Sequence, residues 1–425
     1  MRRLLLIPSV ILVVIGIPVL ALGDPPTPAP VVTSVPVTGT AIQAAAGFQG
    51  QAAVTANTIG ITWDGDPNAT FNVQVRSDGG DWVAAGQLAK SDTEPDPGSP
   101  DAVRAASVAP YHASDPVWTG PVSDVQVTVT SGSAQNIKVA GVSDPSSAPG
   151  GSAGALGLVS RVGPTRQRRG FAIALLALSL VLVALAAGWN PLRSRRRWLP
   201  LVAVFGLLFA ACYPPPDAIG TPSGVPQPPI ISRAAWGAQP YRCGLPQYAG
   251  PLLFAVVHHT VDSNDYTPDE SATLVRNIQA YHQDTLGYCD IAYNFLVDRF
   301  GQIFEGHDGG INNVVLGAHT GGFNSHSTGV AVIGTFTDAS TTVPPAGWNA
   351  LVQLLTWKLS IHHVNPLVPF TTVSNGGGSY WPAGTVVTLP RSLVGHRDLW
   401  PTECPGDGIW DNLDALRYQV AAGLP

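Results

Sequence analysis

Nineteen consecutive uncharged residues, Phe171 to Trp189, constrain this chain more than any other feature. As a helix at ~1.5 Å per residue they reach about 28 Å, close to the hydrocarbon thickness of a bilayer. Such a run is expected to cross a membrane, so the chain before it and the chain after it must fold as separate units. Two further apolar runs point the same way. Leu4 to Leu22 follows Arg2 and Arg3 and ends beside the small residues Ala21 and Gly23, the pattern of a secretory signal or, uncleaved, of an anchor (residues 1–23). Trp198 to Ala211 follows the basic loop 190–197 and is short enough to be a brief span, a buried helix or a signal-like segment ending at Cys212.

Composition agrees with an exported, membrane-anchored chain: 45% of residues are hydrophobic and only 12% charged. The formal net charge is −6, with the acids scattered, so there is no basic face for nucleic acid. Arg166, Arg168 and Arg169 precede the long run, and Arg193, Arg195, Arg196 and Arg197 follow it, as membrane-border charges do. If the first run exports the chain, the second crosses inward and the third returns outward, which leaves RSRRR in the cytoplasm and the C-terminal part in the cell envelope. Cleavage at the third run would instead release that part or leave it lipid-anchored, since LFAAC resembles a lipoprotein cleavage box. Of the four cysteines, Cys243 and Cys289 suit a disulfide in an oxidising compartment, stabilising by ~4 kcal/mol on the loop-entropy model.

Residues 24–53 read as a Pro/Thr/Ala-rich extended leader. From 54 to 142 short alternating runs such as FNVQVR and VSDVQVTV predict a small β-sandwich-like domain, with Val73 and Val75 on one face, Gln74 and Arg76 on the other, and a turn at Ser77 to Gly80. That domain has no His/Cys/Asp cluster and receives no chemistry; a wall-binding or spacer role and plain structural packing are both open for it. Residues 143–170 and 213–229 are linkers.

Residues 230–425 predict an α/β domain, a mixed sheet covered by helices. LLFAVVH reads as a buried strand, and TPDE (Thr267 to Glu270) as a capping box before a helix through Leu274, Ile278 and Tyr281. YNFLV and QIFEG flank a hairpin, VVLGA and GVAVIG predict two more strands, and Trp348 to Ile361 and Ile409 to Val420 two more helices.

The chemistry begins in LVGHRDLWPTECPGD, where His396 and Cys404 are both good zinc donors. Pro401 and Pro405 forbid one helix through them, so the two must meet across a loop. A catalytic zinc takes three protein ligands and keeps one position open. His258 and His259 are the best candidates for the third because they end an apolar strand, where the pleat admits only one of the two to a given site. His319 and His326 compete from other strand ends.

WGAQP, VVHHT, YCDIAYNFLVDRFGQIFEG, GAHTGGFNSHSTGVAVIG and GHRDLWPTECPGD, in that order, resemble a bacterial member of the peptidoglycan recognition protein family, related to zinc N-acetylmuramoyl-L-alanine amidases. The resemblance covers the C-terminal half only. It implies Zn2+ held by His258, His396 and Cys404, with Tyr293 and Thr402 as catalytic partners. Members that only recognise peptidoglycan typically lack the cysteine, which this chain has, so the resemblance favours hydrolysis of the bond between N-acetylmuramic acid and L-alanine over a receptor or wall anchor. It further implies a muropeptide groove lined by His319 and Asn324, with Trp236, Tyr288 and His307 as further contacts. Ala331 stands where some related amidases carry a Glu, which leaves Tyr293 with more of the work.

Overall fold

The structure is a computed structural model and describes residues 27–41, 48–147 and 214–425. The three apolar runs, the basic loop and Cys212 lie outside the described residues. No helix among the described residues is long and apolar enough to cross a membrane.

The N-terminal domain is built on strands β1 (Val31–Pro36), β2 (Thr38–Ala41), β3 (Phe48–Gly65), β4 (Thr70–Arg76), β5 (Val83–Leu88), β6 (His112–Ala113), β7 (Val117–Ser131) and β8 (Ala134–Ser143). Helix α1 (Pro100–Val108) follows β5, its first turn capped by the Ser99 side chain on the Ala102 amide. The predicted alternation holds in β4, where Phe71, Val73 and Val75 are buried between more exposed neighbours. The predicted turn also forms: Asp78 and Gly79 both take positive φ, and the Gly80 amide closes onto the Ser77 carbonyl.

Two expectations change. The sheet begins at Val31, inside the expected leader, because β1 pairs along its length with β8. And hydrogen bonding makes one continuous eight-stranded sheet, with main path β1-β8-β3-β7-β4-β5, where two separate sheets were expected. The cause is β3, whose 18 residues pair β7 along the first half and β8 along the second. The register slips between Ala53 and Thr58, where the strand changes partner.

The C-terminal domain has a five-stranded mixed sheet of order β11-β10-β12-β9-β15. Its strands are β9 (Phe254–His259), β10 (Phe295–Val297), β11 (Ile303–Glu305), β12 (Ser327–Val332) and β15 (Leu393–Gly395); β13 (Phe370–Val373) and β14 (Val386–Leu389) form a separate hairpin. β9 runs parallel to both of its neighbours, β12 and β15, and all six of its residues are buried, as a central parallel strand requires. Helices α3 (Pro345–Ile361) and α4 (Leu413–Ala422) cover one face, packing Leu351, Leu355 and Leu416 against Val257 and Val330. Helix α2 (Ser271–Asp284) covers the other, packing Leu274 and Ile278 against Leu296 and Ala331. It begins at Ser271, and Glu270 reaches back to the Thr267 amide, which is half of the predicted box. VVLGA joins no strand of the sheet; its Val315 makes only a one-residue bridge to Tyr248. Cys243 and Cys289 form the expected disulfide.

The two domains share an extensive polar and apolar interface. Helix α2 is too polar to be buried on both sides by apolar packing, yet most of its residues are buried. The explanation is hydrogen bonding to the other domain. Asn277 Nδ2 donates to Asn57 Oδ1 at 2.7 Å and Thr58 Oγ1 at 2.9 Å, and the Tyr281 hydroxyl donates to the Ser114 carbonyl at 3.0 Å. Gly60 makes this approach feasible, since a Cβ there would stand 2.1 Å from the Tyr281 hydroxyl oxygen.

Candidate metal centre and groove

The pleat of strand β9 separates His258 from His259. Successive residues of a strand face opposite ways, so His258 shares its face with Phe254 and Val256, and His259 shares the other with Ala255 and Val257. Gly395 ends β15 one strand over and delivers His396 to the first face. His258 and His396 stand with ring centroids 4.5 Å apart. On the opposite face the His259 ring accepts from the Phe336 amide through Nδ1 at 3.2 Å, a packing role. His326 is also removed from contention, since its Nδ1 lies 3.0 Å from the Pro251 carbonyl.

Cys404 completes the group. The ligand atoms of His258, His396 and Cys404 all lie within 4.8 Å of one another, and all three side chains are buried. The Cys404 sulfur is 3.7 Å from His258 Nδ1 and accepts from the His259 amide at 3.4 Å. On its far side, His258 Nε2 is 3.1 Å from His319 Nδ1. This contact would hold the His258 ring and its tautomer with Nδ1 turned inward. The absence of a side chain at Gly329 makes room for His319, because a Cβ there would stand 2.4 Å from its ring.

The residues fit a zinc ion. Two imidazoles and a thiolate make a catalytic donor set that leaves one position open. Among the described residues both ring nitrogens of His396 are buried without a hydrogen-bond partner, a costly arrangement for a protein to keep unless something binds there. Electrostatics agree. Burial lowers His396 and His319 to about 3. Burial and then the neighbouring imidazoles hold His258 well below its ordinary value, so all three rings are neutral and able to coordinate at neutral pH. Burial, and then the charge of Asp92, pushes the Cys404 thiol well up, so it ionises only when a cation replaces its proton.

Tyr293 stands beside this centre, its ring 5.4 Å from that of His258. Burial, then nearby carboxylates, raises its hydroxyl well above the usual value, which keeps it a proton donor. Ala331 pairs in register with His258, so a methyl group occupies the point where a carboxylate base would have stood. The Thr402 hydroxyl lies at the mouth of the cluster, accepting from the Cys404 amide at 3.0 Å.

The other expected groove residues separate. Asn324 braces the turn that carries His319, its Oδ1 accepting from the His319 and Thr320 amides at 2.7 and 2.9 Å. Tyr288 is buried and donates to the Thr93 carbonyl at 2.6 Å. His307 is buried, with Nδ1 2.8 Å from the Ile291 carbonyl and Nε2 left without a partner. Trp236 is not brought to the cluster: its indole donates to the Glu305 carbonyl at 2.8 Å and its ring belongs to the core with Leu274 and Ile278.

One participant was missed. Asp92, from the domain expected to hold no chemistry, accepts a hydrogen bond from Thr402, and the same oxygen lies 3.8 Å from His396 Nδ1. No local signal could have found it, since an acid in a Pro-rich loop reads as solvent-exposed.

Comparison with known proteins converges on the same half of the chain. The family model described as N-acetylmuramoyl-L-alanine amidase matches residues 248–407. A human N-acetylmuramoyl-L-alanine amidase is 36% identical over 203 residues, which are 47% of this chain and 30% of that protein, so the chain spans about a third of that relative's length. Peptidoglycan-recognition protein SC2 of Drosophila melanogaster is 34% identical over 184 residues, 43% of this chain and 84% of the relative. Among solved structures, human PGRP-IBETAC in complex with glycosamyl muramyl pentapeptide is 29% identical, with a TM-score of 0.35, over 44% of this chain and 95% of that one.

Proposed function

This chain belongs to the family of peptidoglycan recognition proteins and N-acetylmuramoyl-L-alanine amidases, and from that premise we propose that it is a zinc-dependent hydrolase of the amide bond between N-acetylmuramic acid and L-alanine in peptidoglycan. The observation that carries this reading is the convergence of His258, His396 and Cys404, with both His396 ring nitrogens lacking a hydrogen-bond partner among the described residues. A recognition protein without turnover has no need of a buried thiol in a two-imidazole cluster.

When bound, zinc supplies Lewis acidity that polarises a carbonyl and acidifies water toward neutrality. The protein's own residues do the rest. His319 holds His258 in one orientation, and the His259 amide supports negative charge on the Cys404 sulfur. Tyr293 keeps its proton and donates it as a hydrogen bond to oxygen on which charge develops. Thr402 presents a hydroxyl to the scissile carbonyl. With Ala331 in place of an acid, proton transfer falls to water, and Tyr293 serves as a hydrogen-bond donor.

The same reading places the domain in the cell envelope, held by the apolar runs before it, where muropeptides are accessible. The test is incubation of the full-length chain, and of the same chain carrying Glu94→Ala/Asp96→Ala to remove the acidic side chains bonded to the groove, with one equivalent of zinc and purified muropeptides, with mass spectrometry of the products. Release of stem peptides with a free L-alanine amine, lost in Cys404→Ser, supports the reading. Muropeptide binding by the zinc-loaded chain with no such product, even after prolonged incubation, overturns it in favour of a receptor.

A further inference from the structure

The segment Ser91 to Pro97, SDTEPDP, leaves strand β5 and enters the C-terminal domain. Pro95 and Pro97 remove two backbone donors, so it cannot add to a sheet, and it must satisfy its polar groups elsewhere. It does so on the groove. Asp92 takes the Thr402 hydroxyl and sets its carboxylate 3.8 Å from His396 Nδ1. The Thr93 carbonyl accepts from Tyr288 at 2.6 Å, and the Glu94 carbonyl from Asn324 Nδ2 at 2.9 Å. Asp96 is buried and takes five donors: the Asn324 amide at 3.2 Å and its Nδ2 at 3.0 Å, the Ser325 amide at 3.2 Å and its hydroxyl at 3.1 Å, and Asn375 Nδ2 at 2.9 Å.

These donors are the ones a bound muropeptide would need. The family resemblance implies that Tyr288 and Asn324 contact substrate and that Thr402 is a catalytic partner, and each is engaged by this acidic, extended segment. The fit is close: a Cβ on Gly321 would stand 2.9 Å from that of Glu94, and the Gly378 amide donates to Glu94 Oε2 at 3.1 Å. The segment is braced at both ends. Ser91 donates to Asp115 at 2.5 Å, and beyond the loop Asp101 accepts from the Cys289 amide at 2.8 Å while Arg104 donates to the Tyr288 carbonyl at 2.6 Å. His258, His319, Asn324 and His396 are all fully buried beneath it.

We infer that Ser91 to Pro97 is an intramolecular inhibitor that occupies the groove in place of the muropeptide, and that the site opens only when this segment undocks. The inference rests on the proposed function for the identity of the displaced ligand, but not for the occlusion itself. A tethered segment acts at an effective concentration of roughly millimolar, so a free muropeptide of similar affinity at micromolar concentration does not displace it without an event that loosens the interface.

The test compares the full-length chain with Glu94→Ala/Asp96→Ala, both zinc-free, in two ways. The first is the rate at which iodoacetamide labels Cys404, located by peptide mapping so that Cys212 does not interfere. The second is calorimetric affinity for a muramyl tripeptide. An intact Cys243–Cys289 bond and a cooperative melt confirm folding. Should the double variant fail that check, Asp96→Asn keeps the size of the side chain and turns one of its acceptors into a donor facing donors. Labelling and affinity at least tenfold higher in the variant are expected. Faster labelling without muropeptide binding supports the occlusion and overturns the muropeptide reading. Equal labelling and equal affinity overturn the inhibitor and leave the hydrolase reading standing.

Discussion

Thr402 donates its hydroxyl hydrogen to Asp92, 310 residues earlier in the chain, and the accepting oxygen lies 3.8 Å from His396 Nδ1. A carboxylate of one domain thus stands at the candidate metal site of the other. The relationship ties the N-terminal sheet, which has no chemistry of its own, to the state of the groove.

Cys404→Ser should lose zinc and hydrolysis together while the fold survives. The serine hydroxyl replaces a buried thiol of similar size but is a poor ligand at neutral pH. Zinc content of the purified variant, read beside its melting curve, checks this. Stoichiometric zinc in the variant would remove Cys404 from the ligand set.

Zinc affinity should rise with pH, by about tenfold per unit around neutrality, with one proton released per ion. The sign follows from the environments. The thiol of Cys404 is held well above its ordinary value and is protonated in the metal-free protein, so binding must expel that proton. His258 and His396 are held low and are already neutral, so they contribute none. Calorimetry in buffers of different ionisation enthalpy counts the protons, and a count near three would show that both imidazoles also start protonated.

Tyr293→Phe should retain zinc and lose rate, on the order of 10²-fold if its hydroxyl supports the developing oxyanion. The ring keeps its packing beside His258, so stability should change little. The rate is measured in the chain opened by Glu94→Ala/Asp96→Ala. An unchanged rate there would make Tyr293 a packing residue.

Gly60→Ala should loosen the two domains. Its Cβ would meet the Tyr281 hydroxyl, which is pinned by its bond to the Ser114 carbonyl, and overpacking of this kind costs about 1–3 kcal/mol. A lower melting temperature is expected, partly restored by Tyr281→Phe in the same chain. No change in melting would mean that the interface yields at this point without strain.

Reduction of the Cys243–Cys289 bond should lower stability by about 4 kcal/mol on the loop-entropy model, given the 46-residue separation. Denaturant titration with and without reductant measures it. The bond also anchors the Cys289 amide that Asp101 accepts from, so reduction should speed Cys404 labelling as well.

Much of the site was legible in the residues themselves. Donor chemistry marked His396 and Cys404, and the apolar run of β9 ending in two histidines narrowed the third ligand to a pair, because side-chain chemistry and strand periodicity are local properties. The resemblance to a known family selected His258 from that pair, and the pleat of β9 places it on the side of His396. VVLGA shows the limit of such reading: a short apolar run carries the same signal whether or not it enters a sheet, and the backbone of Val314 to Ala318 bonds instead to Ala218, Gln247, Ala249 and Ala292, none of them in a strand. Trp236 shows another, since an aromatic near a site and an aromatic in the core carry the same sequence signal.

What the tertiary structure alone decided is the partnership of the two halves. Asp92, Glu94 and Asp96 lie in a loop whose composition is that of any exposed turn, and α2 has a polar face that reads as solvated. Asp96 and most of α2 are buried, and Asp92 and Glu94 partly so, because each meets a complementary set of donors or acceptors more than a hundred residues away. Hydrogen-bond complementarity between distant surfaces leaves no period, no spacing and no compositional trace in either segment; it exists only when the fold brings Asn277 to Asn57 and Thr402 to Asp92.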